Sequence, residues 1–344
     1  MARNARAALV GLGMVSSTYG RAIRASKTIE LETIFAPSLS SQERFLCAFP
    51  DVCDRTAKSV QDIADDPNVD FAIVTTPPNA RRDIVAALAS AGKPILMEKP
   101  VERTLQAARD IVDLCDDLNV PLGIMLQHRA RPAATTLTNR MDALGPLVAV
   151  EVSVPWWRPQ AYYDEPGRGT YERDGGGVLI SQAIHTLDLM LSLTGPVTEV
   201  TAMTATTALH SMEAEDFVTA GLAFANGAVG SLFASTASYP GAGENITIHC
   251  QNGSARLAAG VLRLDMRDGQ TEEIGETAGS GAGADPMAFT SDWHQTMIEA
   301  FADAVSSKRQ PLVPGREALK VHGLIAAIEH AGRTGQRVTV PKEV

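Results

Sequence analysis

The fold of this chain is decided near its start, by the stretch Ala7-Ala8-Leu9-Val10-Gly11-Leu12-Gly13-Met14-Val15-Ser16. Its first four residues predict a short strand, and the residues from Ser16 to Ala25 predict a helix. Between them, Gly11 permits a tight turn, and Gly13 lets the backbone approach a pyrophosphate facing the helix N-terminus. The third position of this turn pattern, usually Gly or Ala, is Ser16. In a strand–turn–helix unit, the pattern favours dinucleotide binding over a plain structural turn.

Strand and helix patterns continue to alternate up to about residue 127. Four further apolar strands are predicted, and segments whose apolar residues recur at the helical period lie between them. The strands are Leu31–Phe35, Phe71–Val74, Ile95–Met97 and Leu122–Leu126. Strands that alternate with helices of this length pair in parallel. The sequence therefore predicts an α/β protein whose N-terminal domain, residues 1–127, is a Rossmann-type doubly wound parallel sheet.

The pattern changes after Arg131. Valines alternate with other residues over Val148–Val154, a helix is predicted at Val178–Leu193, and several strands then follow in series from Val197 to Met266. Strands without helices between them indicate an antiparallel sheet. Two helices, at about 290–306 and 316–332, close the chain. We therefore predict a second α/β domain, residues 128–344, with a mostly antiparallel sheet.

Composition excludes several classes of protein. The chain has 344 residues, enough for two domains, and its net charge of −10 argues against a general nucleic-acid binder. No apolar run approaches the roughly 20 residues of a membrane span. The N-terminal apolar run is broken by glycines, so a first strand explains it better than a signal peptide. Four cysteines without C-x-x-C spacing predict free thiols, a cytoplasmic location and no metal site.

The segment Glu98-Lys99-Pro100 places a lysine at the predicted carboxyl end of a buried strand. In an open parallel sheet, this is the edge where ligands bind. An ammonium group there could hydrogen-bond a substrate hydroxyl and stabilise developing alkoxide charge. The alternative is a surface ion pair. Pro100 argues against this alternative because it fixes the chain locally, and a cis bond before it is one option.

A second candidate catalytic group, His185, follows the glycine run Gly175-Gly176-Gly177. If the segment is helical, Ser181 and His185 lie four residues apart on one face. Asp188, three residues further on, could orient the imidazole ring. The glycine run would bring the end of the helix into a cleft, which favours catalysis over a structural role for His185.

Cofactor contacts are predicted along the edge of the parallel sheet. The segment Thr75-Thr76-Pro77-Pro78-Asn79 could form a wall for the cofactor, with Asn79 also capping the next helix. The second strand ends at Ala36-Pro37-Ser38 without the usual carboxylate, so Ser38, Ser40 or Arg44 could meet a 2′-phosphate. The absence of a carboxylate favours NADP over NAD as the cofactor. The alternative is NAD, held by backbone and hydroxyl groups. The predicted cofactor contacts are Gly11, Gly13, Met14, Val15, Ala36, Ser38, Thr75, Thr76, Pro77, Asn79, Glu98, Lys99 and Gln127.

Substrate contacts are predicted in two further segments. Gln127-His128-Arg129 follows the fifth strand, and a loop rich in aromatics and arginines runs from Trp156 to Arg173. Aromatic rings with arginines suit a sugar ring that bears an anionic group. The alternatives are pairing of the arginines with carboxylates and a core or interface role for the tryptophans. The predicted substrate contacts are Lys99, His128, Arg129, Trp157, Arg158, Tyr163, Arg168, Ser181, Gln182 and His185.

Taken together, these motifs resemble the Gfo/Idh/MocA family of nicotinamide-dependent oxidoreductases. The resemblance implies an N-terminal Rossmann domain and a C-terminal α/β domain whose open sheet often forms the oligomer interface, here of a homodimer or homotetramer. It also implies that Lys99 and His185 are catalytic. One departure is Ser181, where many inositol dehydrogenase-like members carry Asp. The loop around Tyr163 and the segment before His185 look closer to sugar-nucleotide uronate dehydrogenases, where Asn commonly replaces that Asp.

The resulting prediction is an NAD(P)-dependent oxidoreductase. It would transfer a hydride between nicotinamide and a hydroxyl or carbonyl group of a sugar, polyol or sugar acid. Two other functions fit the same fold: a dinucleotide-sensing regulator, and an NAD-dependent glycosidase that would not accumulate NADH. Lys99 and His185 argue against a pure sensor, which needs neither side chain.

Overall fold

The structure is a computed structural model that describes residues 3–277, 279, 282–285, 287 and 289–342. The chain divides into two compact units. The first comprises the chain up to Glu102, Gln106–Gln127 and Ser291–Ala318. The second comprises Arg103–Leu105, His128–Thr290 and the chain from Leu319 onward. The sequence-based division assigned Ser291–Ala318 to the second domain, whereas this segment packs within the first unit.

A five-stranded parallel sheet forms the centre of the first unit. Its order, β2-β1-β3-β4-β5, reverses direction beside β1, so the loops after β1 and β3 diverge at a topological switch point. Every residue of β3, β4 and β5 is buried, as expected for a parallel sheet covered on both faces. The predicted strands are thus confirmed, and the observed bounds are β1 Ala5–Val10, β2 Ile29–Phe35, β3 Phe71–Val74, β4 Ile95–Glu98 and β5 Leu122–Met125.

Helices cover this sheet. The last of them explains why Ser291–Ala318 joins the first unit: its Phe301 ring packs against Phe71, with 5.5 Å between centroids. Phe301 also lies where a side chain on Gly123 would clash. Two of the helices, α2 and α3, were absent from the sequence prediction because their faces are largely polar. The helices of this part of the chain are α1 Ser16–Ala25, α2 Leu39–Ala48, α3 Val60–Asp65, α4 Arg81–Ser90, α5 Leu105–Asp117 and, later in sequence, α9 Asp292–Ser306.

A nine-stranded sheet dominates the second unit, in the order β13-β12-β11-β10-β6-β9-β8-β7-β14. All neighbours are antiparallel except β6 and β9, so the predicted mostly antiparallel sheet is confirmed. The alternation along β6 buries Val150, Val152 and Val154 and exposes Glu151. The strands are β6 Leu147–Pro155, β7 Val197–Ala205, β8 Phe217–Phe224, β9 Val229–Ser235, β10 Asn245–Cys250, β11 Gly253–Ala258, β12 Val261–Met266, β13 Thr271–Ile274 and β14 Val338–Thr339.

The helices of the second unit include one that is buried on nearly every side. All residues of α8 except Ser192 are buried. The predicted single helix Val178–Leu193 is interrupted, because Leu179–Ala183 forms a π-helical segment before α8 begins. Such insertions occur frequently at functional sites. The bounds are α6 Pro132–Leu144, α7 Gln160–Tyr163, α8 Ile184–Thr194 and α10 Gly315–Thr334, whose first turn belongs to the first unit.

Within the described part of the chain, no helix has the length and apolar character that crossing a membrane would require.

Candidate active site

The glycine turn after β1 packs closely against the segment after β3. Gly11 has a φ of +98°, and a Cβ atom there would lie 2.8 Å from the backbone nitrogen of Thr76. The hydroxyl of Thr75 donates to the carbonyl oxygen of Gly11 at 2.6 Å. Only glycine fits at this position, because both the backbone conformation and the space exclude a side chain.

The start of α1 suits an anion. A Cβ atom on Gly13 would meet nothing within 4 Å, so the chain leaves open space here. No side chain caps the helix at Val15, and its first turn contains no acidic residue. The positive end of the helix dipole can therefore act on a pyrophosphate. In the neighbouring wall, the buried Thr76 Oγ1 has no hydrogen-bond partner among the described residues. These features fit a dinucleotide.

The end of β2 is rich in hydroxyl groups that bond to one another. Ser38 caps α2, its Oγ accepting from the backbone N–H of Ser41 at 3.3 Å, and it lies 2.9 Å from Ser40 Oγ. The carbonyl of Ala36 accepts from Gln42. Arg44 donates to Ser41 Oγ at 2.9 Å. As the sequence indicated, no carboxylate lies directly after this strand.

A short 3₁₀ turn, Pro78–Ala80, follows the threonine segment. Asn79 lies within this turn, and no side chain caps α4, so the predicted cap at Asn79 is wrong. Thr76 and Pro77 lie before the turn, at the carboxyl edge of the sheet. At the same edge, Gln127 follows β5; its Oε1 is buried and has no partner among the described residues.

Lys99 follows β4 directly and sits beside a buried carboxylate. Its backbone N–H donates to Glu98 Oε2 at 3.1 Å, and the Lys99–Pro100 bond is cis. The hydroxyl of Tyr19 donates to Glu98 Oε1 at 2.9 Å. Burial raises the pKa of Glu98, whereas the charge of Lys99 and the Tyr19 hydrogen bond act in the opposite direction.

His294 completes this cluster without adding charge. Its Nε2 lies 3.8 Å from Glu98 Oε1, and its ring meets Tyr19 edge-on. Burial lowers the pKa of His294 to about 3, with smaller contributions from the charges of Arg21 and Lys99. His294 is therefore neutral at neutral pH. The sequence did not single out Tyr19 or His294, since the contacts join residues far apart in the chain.

Arg81 is another residue that the sequence did not indicate. It begins α4, yet its side chain is buried. Its guanidinium donates to the carbonyl oxygen of Thr76 at 3.0 Å and 2.8 Å, and also to the carbonyl oxygens of Glu98 and Pro100. The cofactor wall and the lysine segment are thus joined by one side chain.

In the second unit, the ring of His185 stacks on that of His128, with 5.0 Å between centroids and 28° between planes. Arg131 donates to Nε2 of His128 and to Glu244 Oε1, the latter at 2.6 Å. Trp156 donates to the other oxygen of Glu244 at 3.2 Å. Because a guanidinium can only donate, His128 Nε2 is the acceptor, and a neutral His128 carries its proton on Nδ1.

Asp188 is held by an arginine of the predicted substrate set. Arg129 donates to both carboxylate oxygens, at 2.7 Å and 2.6 Å. Asp188 thereby anchors the turn containing Arg129 to α8. The suggestion that Asp188 orients His185 stays a prediction. Ser181 and Gln182 lie in the π-helical segment that precedes α8. That Ser181 and His185 share one face stays a prediction. Gln182 Oε1 is buried without a partner among the described residues.

The glycine run before the π-helical segment is packed against Glu215. This carboxylate accepts from the backbone N–H groups of Gly177 and Leu179, both at 3.1 Å. A Cβ atom on Gly177 would lie 1.8 Å from the carbonyl oxygen of Glu215. A second acid, Glu329, lies nearby; burial, reinforced by the charge of Glu215, raises its pKa to about 8. Neither acid lies in a sequence motif that would indicate its role.

The side chains of the aromatic loop contact one another and the adjoining backbone. Arg158 is buried and donates to the carbonyls of Trp157 and Gly283, at 2.8 Å and 2.5 Å. Arg168 lies over the ring of Tyr162 and pairs with Glu165 at 2.9 Å. The loop is thus a packed assembly, completed by the Tyr163 hydroxyl 2.7 Å from Thr236 Oγ1 and by the edge-on contact of Trp157 with Tyr239.

Comparisons with known proteins cover both units. A family model described as an oxidoreductase family with an NAD-binding Rossmann fold matches residues 5–125, and the GFO/IDH/MocA C-terminal domain model matches residues 140–256. The rhizopine catabolism protein MocA of Rhizobium meliloti is 31% identical over 193 residues, 55% of this chain and 57% of the relative. The 1,5-anhydro-D-fructose reductase of Ensifer adhaerens is 25% identical over 323 residues, 90% of this chain and 91% of the relative.

A solved structure extends the likeness over the whole chain. The WlbA dehydrogenase of Bordetella pertussis, in complex with NADH and UDP-GlcNAcA, is 28% identical with a TM-score of 0.82. The match covers 99% of this chain and 100% of that one.

Proposed function

Because the chain belongs to the Gfo/Idh/MocA family of NAD-binding oxidoreductases, we propose that it is a sugar dehydrogenase or reductase. It transfers a hydride between nicotinamide and the hydroxyl-bearing or carbonyl carbon of a sugar, polyol or sugar acid. The alternatives on this fold, a dinucleotide-sensing regulator and an NAD-dependent glycosidase, differ in whether reduced cofactor accumulates.

The observation that carries this proposal is the setting of Lys99. It follows β4 at the same sheet edge as the glycine turn, beside the buried Glu98. When bound, the nicotinamide supplies the hydride acceptor or donor. The ammonium group of Lys99 hydrogen-bonds the reacting oxygen of the substrate and stabilises the negative charge that develops on it.

His185 acts as the general base or general acid, depending on the direction of the reaction. Its imidazole stacks on His128, which Arg131 and Glu244 hold in turn. A ring that is fixed by stacking is oriented before substrate binds, which lowers the entropy lost on reaching the reactive geometry. In the direction of oxidation, His185 accepts the hydroxyl proton; in the direction of reduction, it returns the proton to the new alkoxide.

We propose NAD as the cofactor. The sequence favours NADP only because no carboxylate follows β2, and the lack of a carboxylate does not supply the positive charge that would bind a 2′-phosphate. The nearby hydroxyls of Ser38 and Ser40 suit a ribose hydroxyl, and Arg44 is already bonded to Ser41. WlbA, which resembles this chain throughout, was solved with NADH. Titration with each dinucleotide should give a lower Kd for NAD than for NADP; tighter NADP binding would reverse this choice.

The arginines of the second unit bear on the charge of the substrate. Arg129 pairs with Asp188, Arg131 with Glu244, and Arg168 with Glu165. These carboxylates neutralise the positive charge of the arginines, which the sequence had suggested would bind an anionic group of the substrate. The pairing favours an uncharged sugar or polyol over a sugar acid. Because WlbA was solved with an acidic sugar nucleotide, both classes belong in the test.

We propose a homodimer or homotetramer formed through the open face of the nine-stranded sheet. A row of residues crosses this face from Met203 through Thr219 to Phe233. Met203 is 56% exposed and therefore available to a second copy. Sedimentation of the purified protein should give a dimer or tetramer, and Met203→Glu should shift it towards the monomer. A wild-type monomer at micromolar concentration would reject this assembly.

The decisive experiment for the activity combines the purified protein with NAD or NADP and a panel of neutral sugars, polyols and uronates. The proposal predicts that the absorbance of the reduced cofactor rises with at least one substrate. A regulator would bind dinucleotide without turnover. A glycosidase would release sugar from a glycoside while reduced cofactor stayed at trace levels.

A further inference from the structure

Arg81 is a buried cation in the first unit that neither the family match nor the proposed chemistry requires. The residue is 2% exposed and is among the largest fully buried side chains of the described structure. Burying a charge is costly unless the protein replaces its hydration with hydrogen bonds. An arginine at this position therefore needs strong partners, and those partners indicate what the residue does.

Its partners are backbone carbonyls from two different strand ends. Nε and Nη2 donate to Thr76 O at 3.0 Å and 2.8 Å, after β3. Nη1 donates to Glu98 O and Pro100 O, which lie on either side of Lys99. Burial lowers the pKa of Arg81 to about 10, opposed by the charge of Glu98, so the guanidinium remains charged at neutral pH.

We propose that Arg81 is a positioning residue that acts through Lys99. With the carbonyls of Glu98 and Pro100 both bonded to one rigid group, the peptide units around Lys99 have a fixed orientation. The same group is bonded to Thr76, so the lysine segment and the threonine segment keep a constant spacing. This inference rests on the proposed function, in which Lys99 contacts the reacting oxygen.

Holding the Lys99 segment in one orientation requires a side chain whose hydrogen-bond donors point in fixed directions, and the guanidinium of Arg81 is such a group. Its planar fork presents five N–H donors in fixed directions, so one side chain can serve three carbonyls at once. A lysine at position 81 would bring the same charge as a point on a flexible stem. Arg81→Lys therefore preserves the charge and removes the fixed directions.

A purely structural Arg81 makes a different prediction. It would stabilise the unit, and its replacement would affect turnover independently of Lys99. A double-mutant cycle separates the two cases because residues that act through one another give non-additive effects. The cycle compares wild type, Arg81→Lys, Lys99→Ala and the double variant. Arg82→Lys, at the exposed neighbouring position, is the matched control.

We expect Arg81→Lys to lower kcat by about 10- to 100-fold, since small misplacements of a catalytic group have effects of this size. In the Lys99→Ala background, the same replacement should change kcat by less than about threefold, as expected for coupled residues. Arg82→Lys should match wild type. The proposal would be overturned if the loss of kcat in the double variant equalled the product of the losses in Arg81→Lys and Lys99→Ala. A wild-type kcat for Arg81→Lys would also overturn it.

A second readout needs no substrate and so separates failure of this inference from failure of the proposed function. The rate at which an amine-reactive reagent labels Lys99 is followed by peptide mass spectrometry, with exposed Lys27 as the internal reference. Arg81→Lys should change the labelling rate of Lys99 several-fold and leave Lys27 unchanged; equal rates at Lys99 would overturn the proposal. Should Arg81→Lys lack a cooperative unfolding transition, Arg81→Gln undergoes the same measurements.

Discussion

Arg129 and Asp188 form a two-point ion pair in which both guanidinium-to-carboxylate distances are below 2.8 Å. The pair joins the turn after β5 to α8, one helical turn beyond His185. The Asp188 side chain is almost fully buried, so this end of the ion pair is shielded from solvent. Arg129, a predicted substrate contact, is thus held by Asp188. His128 and His185, which neighbour the pair in sequence, stack on each other.

Removing the charge of Asp188 tests this anchor. Asp188→Asn removes a buried carboxylate charge that faces two N–H donors of Arg129 and should lower the free energy of unfolding by about 3 kcal/mol. Urea unfolding followed by circular dichroism measures the change. The double variant Arg129→Met/Asp188→Leu should recover part of the loss because it removes both charges of the pair. A midpoint for Asp188→Asn equal to that of wild type would show that the pair adds no stability.

The two glycines of the first turn should respond differently to alanine. Gly11→Ala places a Cβ atom against Thr76 in a left-handed backbone conformation, and should lower stability by at least about 1–2 kcal/mol. Gly13→Ala meets open space, so its stability should change by less than about 0.5 kcal/mol. If the pyrophosphate lies against Gly13, this variant should nevertheless bind NAD tenfold or more weakly, about 1.4 kcal/mol. Thermal unfolding and NAD titration provide the two measurements, and unaltered NAD binding by Gly13→Ala would argue against this phosphate site.

Glu329 should make stability depend on pH. Its pKa in the folded protein is about 8, above the ordinary value of 4.5, mainly because it is buried. The folded state therefore binds the proton more tightly than the unfolded state. The resulting stabilisation is complete below about pH 4.5 and is lost as pH rises through 8.

Glu329→Gln should remove this part of the pH dependence. Relative to wild type, the variant should gain stability between pH 6 and pH 9, as measured by the urea midpoint at each pH. Exposed Glu273→Gln serves as the control and should follow the wild-type profile. Parallel pH profiles for wild type and Glu329→Gln would contradict the assignment.

Two contacts of His128 can be tested separately, the stack on His185 and the hydrogen bond from Arg131. His128→Phe keeps a flat ring and removes the acceptor, so it should lower stability by about 1–3 kcal/mol while turnover stays within a few-fold. His128→Ala removes both and should lower kcat by about tenfold or more, since His185 loses its fixed orientation. Steady-state kinetics and urea unfolding of both variants test this, and equal kcat values for the two would exclude orientation by stacking.

The regular elements were predictable where local pattern determined them. Buried runs such as Phe71–Val74 and the alternating valines of β6 identify strands because their periodicity follows directly from burial. The helices α2 and α3 were missed because few of their residues are buried, and β13 and β14 because they are short. The π-helical segment Leu179–Ala183 could not be read from spacing, since an α-helix fits the same apolar pattern.

The candidate site was predictable only in part, because a local sequence pattern indicates some of its residues and only tertiary contacts bring in the others. Lys99 and the glycine turn lie beside strands, so a local motif indicates them. Tyr19, Arg81 and His294 reach Glu98 or its neighbours through tertiary packing, and no local pattern distinguishes them from other polar or aromatic residues. For the arginines, the sequence left anion binding and pairing with carboxylates open. Arg129 and Arg131 pair with Asp188 and Glu244, which are too distant in sequence for a local pattern to identify.

The role of Lys99 is tested most directly by the turnover of Lys99→Ala on the best substrate of the sugar panel, measured together with the Kd of this variant for NAD. We expect kcat to fall by about 100-fold or more, as for loss of a proton-transfer or charge-stabilising group, while NAD binds within about threefold of wild type. Turnover within a few-fold of wild type would remove Lys99 from the mechanism.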